Sequence, residues 1–327
     1  MGGRLKKLGV LGTMIWDTIV GRDPAEAPLE EWGGIGYALA GLDASLAEGW
    51  QIVPLVKVGR DMAARANAFL RGLGTVASGA RFVEVPELNP RVRLNYRNME
   101  RWCEQLQGGV PPWTWAELGP MVADLDALYV NFISGFECDL ATAQALRRAF
   151  HRPLYGDLHS LALGMHEDGV RHHRPLEQPL AWLACFDVAQ VNEDELTMMG
   201  SEPLALAARA VELGVRAVCV TLGPRGASYV AAPGFDGLEP GAVAGSPSAP
   251  PVLRTATVES EGEPASGDPT GCGDVFGATL FARLLAGAGL ESAIRDANRM
   301  ARRNVAYRGA TGLQQYLRGA LARSGAA

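Results

Sequence analysis

The run Ser266-Gly267-Asp268-Pro269-Thr270-Gly271-Cys272-Gly273-Asp274-Val275-Phe276-Gly277-Ala278 places three glycines and two carboxylates ahead of an apolar segment. Val275, Phe276, Ala278, Leu280, Phe281, Leu284 and Leu285 recur at helical spacing, so a helix begins between Gly271 and Asp274. Pro269 biases Asp268 toward an extended backbone and marks the entry into the turn. The first N–H groups of a helix lack partners within it and lie at the positive end of its dipole, which suits a phosphate. Glycine at 271 and 273 lets a ligand approach that backbone, and Asp274 in the first turn can take a proton from a hydroxyl held beside the phosphate. The same residues also read as a capped turn, with Thr270 or Gly271 as N-cap and Asp274 complementing the dipole.

A chain of 327 residues can bury a core without disulfides or metals. Its net charge of −6, with 20% charged residues and no sustained basic run, argues against a nucleic-acid surface and for small metabolites as partners. The five cysteines, 103, 138, 185, 219 and 272, form no Cys-x-x-Cys pair, which predicts no disulfide framework, no zinc site and a cytoplasmic setting. No apolar run approaches the roughly 18 residues of a membrane span. Leu8 to Val20 reads as a first strand rather than a leader.

Apolar, β-branched runs at 8–11, 52–58, 127–132, 153–155, 188–191 and 217–222 predict buried parallel strands. Helical patterns at 36–47, 62–73, 140–150, 203–213 and 292–303 alternate with them, the signature of an α/β layered fold. Segments 18–32 and 89–107 break the rhythm, the second alternating Val92, Leu94 and Tyr96 with polar neighbours as a half-exposed sheet does. Residues 233–251, rich in Gly, Pro, Ser and Ala, predict an irregular loop.

Asp268-Pro269-Thr270-Gly271-Cys272-Gly273-Asp274 resembles the Asp-Thr-x-Gly-Ala-Gly-Asp signature of the ribokinase-like (PfkB) family of sugar and nucleoside kinases, with Cys272 for the usual alanine. The resemblance implies an anion hole from the amides of Gly271, Cys272 and Gly273, with Asp274 as catalytic base and Asp268 on the nucleotide side. Two further elements follow the family's order. Asn192 and Glu195 resemble its Asn-x-x-Glu element, implying contact with phosphate and Mg2+, directly or through water; by themselves they read as a capping box. Thr221-Leu222-Gly223-Pro224-Arg225-Gly226 resembles the Thr-x-Gly-x-x-Gly nucleotide loop, and equally a hairpin turn. Asn304 to Gly312 would close over the adenine. The implied fold is one ribokinase-like domain over 1–327, a three-layer sandwich with a mostly parallel central sheet and a small β-sheet lid from segments 18–32 and 89–107.

On the acceptor side Asp17 follows the first strand, Gly33-Gly34 resembles the family's paired glycines, and Arg97 and Asp157 complete the implied substrate set. Ala38, Ala64, His159 and Leu161 depart from the pattern there, so the acceptor's identity stays open. Cys272 as a nucleophile lacks a histidine partner, and His172-His173 reads as a solvated loop. The expected function is an ATP-dependent kinase acting on a sugar, nucleoside or related polyol, with ATP and Mg2+ and room for a monovalent cation. The alternative is a catalytically weak binding or regulatory module. A homodimer through the lid sheet would cover its edges.

Overall fold

A computed structural model describes residues 4–20, 27–97, 100–200, 202–238, 252–262 and 265–320; for 96–97, 100–102 and 203 it describes the backbone alone. The large sheet has eight strands in the order Arg254–Val258, Ala227–Ala231, Ala217–Thr221, Val188–Asn192, Leu154–Asp157, Ala127–Asn131, Lys6–Leu11 and Trp50–Leu55. The six expected strands pair parallel, as Leu8 with Ile52 and Asn192 with Thr221. Alternate residues of each strand face opposite sides. Leu8, Val10, Ala217 and Cys219 join one apolar core beside the helices Ile35–Ser45 and Cys272–Leu285, whereas Leu11, Val218 and Val220 join the other, beside Trp115–Val122 and Leu140–Ala149. Burial on both faces is why these strands read as unbroken apolar runs.

Three sequence expectations change. Leu8 to Val20 is two strands: the chain leaves the large sheet at Gly12-Thr13, and Met14–Val20 enters a second sheet. Likewise 52–58 divides into Trp50–Leu55 and Lys57–Gly59, the latter pairing with Val83–Val85. The strand Ala227–Ala231 and the edge strand Arg254–Val258 run antiparallel and went unpredicted: the first is a short run broken by Ser228, and the second is only partly covered and lacks a long apolar run. Of the expected loop at 233–251, residues 239–251 lie outside the described residues.

The lid is a four-stranded sheet ordered Leu29–Gly34, Met14–Val20, Arg91–Arg97 and Glu100–Gln107. It includes both expected segments, of which 21–26 and 98–99 lie outside the described residues. An unpredicted hairpin, Leu163–Met165 with Arg171–His173, leans on its outer strand: the Leu106 N–H donates to Gly169 O at 2.9 Å and Gln105 Nε2 to Asp168 O at 2.7 Å. That part of the edge on which a dimer was expected is therefore occupied by the same chain. Among the described residues no helix is long and apolar enough to cross a membrane.

Candidate active site

The helix Cys272–Leu285 starts from Gly271, whose φ of +78° is a left-handed conformation that favours glycine. A Cβ there would also lie 2.3 Å from the Tyr37 ring, so two independent constraints select glycine. No side chain caps this start. The Cys272 N–H donates to Pro269 O at 3.1 Å and is spent inside the turn, which removes it from the expected anion hole. Gly271 and Gly273 keep N–H groups with no acceptor among the described residues. Burial pushes the Cys272 thiol up to about 12, and its Sγ contacts Ala301 O, so it fills space and is not a nucleophile.

Asp274 is half-buried in the first helical turn, and its Oδ1 accepts from Asn131 Nδ2 at 2.7 Å. Asn131, fully buried at the carboxyl end of the strand Ala127–Asn131, is a site residue that the sequence reading missed. Gln190 is another: its Oε1 accepts from Tyr155 Oη at 2.7 Å, while its Nε2 donates to Asp157 Oδ2 at 3.0 Å and to Gly273 O at 3.1 Å. Asn131 ends its strand and Gln190 pairs with Asp157 toward the carboxyl end of its own, near the sheet edge where open α/β folds bind ligands, the one signal that could have found them. Asp157, expected beside the substrate, is buried behind the glycine turn instead. Burial pushes its carboxyl well above the ordinary range; Glu195 and Asp274 add to this and His159 opposes it.

Asn192 and Glu195 form a capping box at the start of the helix Glu193–Met199. Glu195 Oε2 accepts from the Asn192 N–H at 2.8 Å; Oε1 accepts from Asn192 Nδ2 at 2.6 Å and lies 2.8 Å from His159 Nδ1. Burial draws the His159 pKa down, but the Glu195 contact and the charges of Asp157 and Asp274 outweigh it and raise it to about 10. With the glutamate 3% exposed and both oxygens engaged, these residues do not fit a directly held Mg2+. Among the described residues no group of three or more His, Cys, Asp or Glu is placed to hold a metal.

Thr221, Gly223 and Gly226 line a cavity of about 410 Å³ together with Cys272, Gly273, Phe276, Asn298, Ala301 and Val305, uniting the expected nucleotide loop with the glycine turn. The loop is also a hairpin turn, since Ala217–Thr221 and Ala227–Ala231 pair antiparallel. Asp268 and Asn304 act one step back. Asp268 Oδ1 accepts from the Thr270 N–H and hydroxyl at 2.9 and 2.6 Å, and fully buried Asn304 donates to Thr270 O at 2.8 Å. Val305 still lines this cavity, whereas further on Ala310 N donates to Trp32 O and Thr311 Oγ1 to Glu31, at the base of the lid.

On the acceptor side Asp17 is buried in the lid strand Met14–Val20, over Gly33; a Cβ at 33 would fall 1.7 Å from Asp17 Oδ2. Gly34, at φ +54°, opens the helix Ile35–Ser45. Arg97 ends its described strand, and its side chain lies outside the described residues. Ala38 and Leu161 are buried in the core. A larger cavity of about 800 Å³, walled by Phe136, Leu140, Met165, Leu176 and Trp182, touches none of the residues around Asp274.

Residues 166–315 match the pfkB family of carbohydrate kinases. No curated protein matches the sequence. Among solved structures, ribokinase from Thermotoga maritima is 16% identical with a TM-score of 0.65, the alignment covering 96% of this chain and 98% of that one. A Burkholderia thailandensis nucleoside kinase in complex with inosine is 17% identical with a TM-score of 0.67, over 96% of this chain and 95% of that one. An E. coli protein described as a ribokinase II, solved with ATP and Mg2+, is 17% identical with a TM-score of 0.67, over 95% and 98% of the two chains. The match to the pfkB family of carbohydrate kinases thus spans residues 166–315, and over almost its whole length the chain has the fold of these ribokinase-like structures.

Proposed function

We propose that this protein is a small-molecule kinase that transfers the terminal phosphoryl group of ATP to a hydroxyl of a sugar, nucleoside or related polyol. The carrying observation is the Asp274 carboxylate, half-buried and aimed by Asn131, in the helical turn whose Cys272 and Gly273 wall the 410 Å³ cavity. ATP fits that cavity with its phosphates toward Gly273, and the inosine-bound and ATP-bound neighbours support both ligand classes. The acceptor is held under the lid near Asp17, Gly33 and Gly34.

The acceptor oxygen attacks the terminal phosphorus in line, an O–P bond forms, and the bond to the bridging oxygen breaks, its electron pair leaving with ADP. The acceptor's proton passes to Asp274. The free N–H groups of Gly271 and Gly273 meet charge growing on the transferred group. Asp268 and Asn304 hold the turn in shape. No step here runs through an ion on Glu195.

The test is ADP release from ATP across a panel of sugars, nucleosides and polyols, with Asp274→Asn as control. Stimulation by one acceptor class, lost in the variant, supports the reading. A second reading, a weak binding module, is favoured by the closure of Glu195 by Asn192 and His159. ATP binding without stimulation by any alcohol selects it.

A further inference from the structure

Asn131, Asp157 and Gln190 form one row across three neighbouring strands: Asp157 pairs with Asn131 on one side and with Gln190 on the other. Residues in register across parallel strands face the same way, here toward the start of the helix Cys272–Leu285. The row beneath is the stacked pair Tyr129 and Tyr155, with ring centroids 5.1 Å apart. Gln190 is 2% exposed, and its amide is fully engaged: Oε1 accepts from Tyr155 Oη at 2.7 Å, and Nε2 donates to Asp157 Oδ2 at 3.0 Å and to Gly273 O at 3.1 Å. A buried amide with every partner in place holds one arrangement.

Two of those bonds anchor Gln190 to the next strand, and the third reaches the glycine turn. Gly273 O belongs to the peptide that joins Gly273 to Asp274, so this bond fixes the plane from which the Asp274 side chain departs. Asn131 holds the same residue at its carboxylate. Asp274 is therefore gripped twice, at the main chain before it and at the tip of its side chain. The helix leaves room for the amide: a Cβ at Gly277 would fall 2.4 Å from Gln190 Oε1 and 2.7 Å from Tyr129 Oη. Glycine inside a helix costs stability relative to alanine, and at 277 that cost lets the sheet's amide reach the turn.

We propose that Gln190 is a positioning residue for phosphoryl transfer, holding the Gly273–Asp274 peptide so that the Asp274 carboxylate meets the acceptor hydroxyl. This rests on the kinase reading above. Gly273 lines the 410 Å³ cavity and Gln190 does not, so Gln190 acts through the turn and weighs on turnover, leaving ligand binding in place.

The test is steady-state kinetics of the full-length protein, with the acceptor that stimulates the wild type, for Gln190→Met, which keeps the length and loses both donors. The expected result is a kcat lower by about 10-fold to 10²-fold, with the KM for ATP and for the acceptor within about twofold. Denaturant unfolding gives the folded fraction under assay conditions; a structural role alone would lower the unfolding midpoint and leave the kcat of the folded protein unchanged. An unchanged kcat, or a loss carried by KM, overturns the proposal while leaving the kinase reading standing. A wild type that no acceptor stimulates overturns both. If Gln190→Met does not fold, Gly277→Ala displaces the amide from the helix side: the same loss in kcat at unchanged KM is expected, and a wild-type kcat contradicts the proposal. Where both variants fold, their losses should not add in the double variant, because both act through one contact; additive losses contradict it.

Discussion

Asn131 Nδ2 reaches Asp274 Oδ1 at 2.7 Å, joining the last residue of a central strand to the first turn of the helix that opens the glycine-rich site. The amide can only donate at Nδ2, so this contact fixes the orientation of the Asp274 carboxylate. Asn131→Ala is expected to lower kcat by about 10²-fold, the scale of a small misplacement of a reacting group, with the KM for ATP little changed. Asn131→Asp sets a second carboxylate against Asp274 and is expected to move the acidic limb of the pH–rate profile to higher pH. Steady-state kinetics over pH check both; an unshifted limb contradicts the contact.

Gly271→Ala meets the left-handed φ of +78° and the Tyr37 ring together. The expected loss is about 2–3 kcal/mol of stability, read as a lower midpoint in denaturant unfolding. The smaller Tyr37→Leu background should recover part of it.

Cys272→Ala is expected to keep turnover within severalfold of wild type, and neutral-pH thiol reagents should not inactivate through this position, because burial holds the thiol up to about 12. Inactivation that Cys272→Ala removes would contradict the space-filling role. Mass spectrometry of reagent-treated protein checks the assignment.

Lys57, 3% exposed, donates to Glu117 Oε1 at 2.8 Å and Pro112 O at 3.0 Å, with its Nζ 4.5 Å from the centroid of the Trp113 ring. The Lys57 hydrogen bond, followed by the Thr114 backbone, holds the Glu117 carboxyl down to about 2. A folded-state pKa below the unfolded one contributes stability that is complete above the usual 4.5 and is lost as pH falls toward 2. Because Glu117 is 42% exposed, screening reduces the effect, and Glu117→Gln is expected to cost about 1 kcal/mol at neutral pH. The difference from wild type should vanish near pH 2, measured by urea unfolding at both pH values.

The parallel core was legible because Val188–Asn192 and Ala217–Thr221 are buried on both faces and carry that burial as unbroken apolar sequence. The glycine turn was legible because Gly271, Gly273 and Asp274 are adjacent along the chain. Asn131 was not, since its partner lies 143 residues away and no local pattern announces the meeting. Glu195 was found as a candidate, yet its closure depends on His159, 36 residues earlier on another strand end. Asp268 and Asn304 share motif positions with groups that touch ligands, and only their hydrogen bonds to Thr270 separate holding the turn from binding the nucleotide. The edge strand Arg254–Val258 alternates exposed and covered residues beside a Gly/Pro-rich segment, which hid it.

The most direct test of the central claim is acceptor-dependent ADP release by wild type and Asp274→Asn, with ATP binding by calorimetry alongside. Stimulation of the wild type by a sugar, nucleoside or polyol, falling by at least about 10³-fold in the variant while ATP affinity holds, is the predicted result. Turnover by Asp274→Asn at a rate comparable to wild type would contradict it.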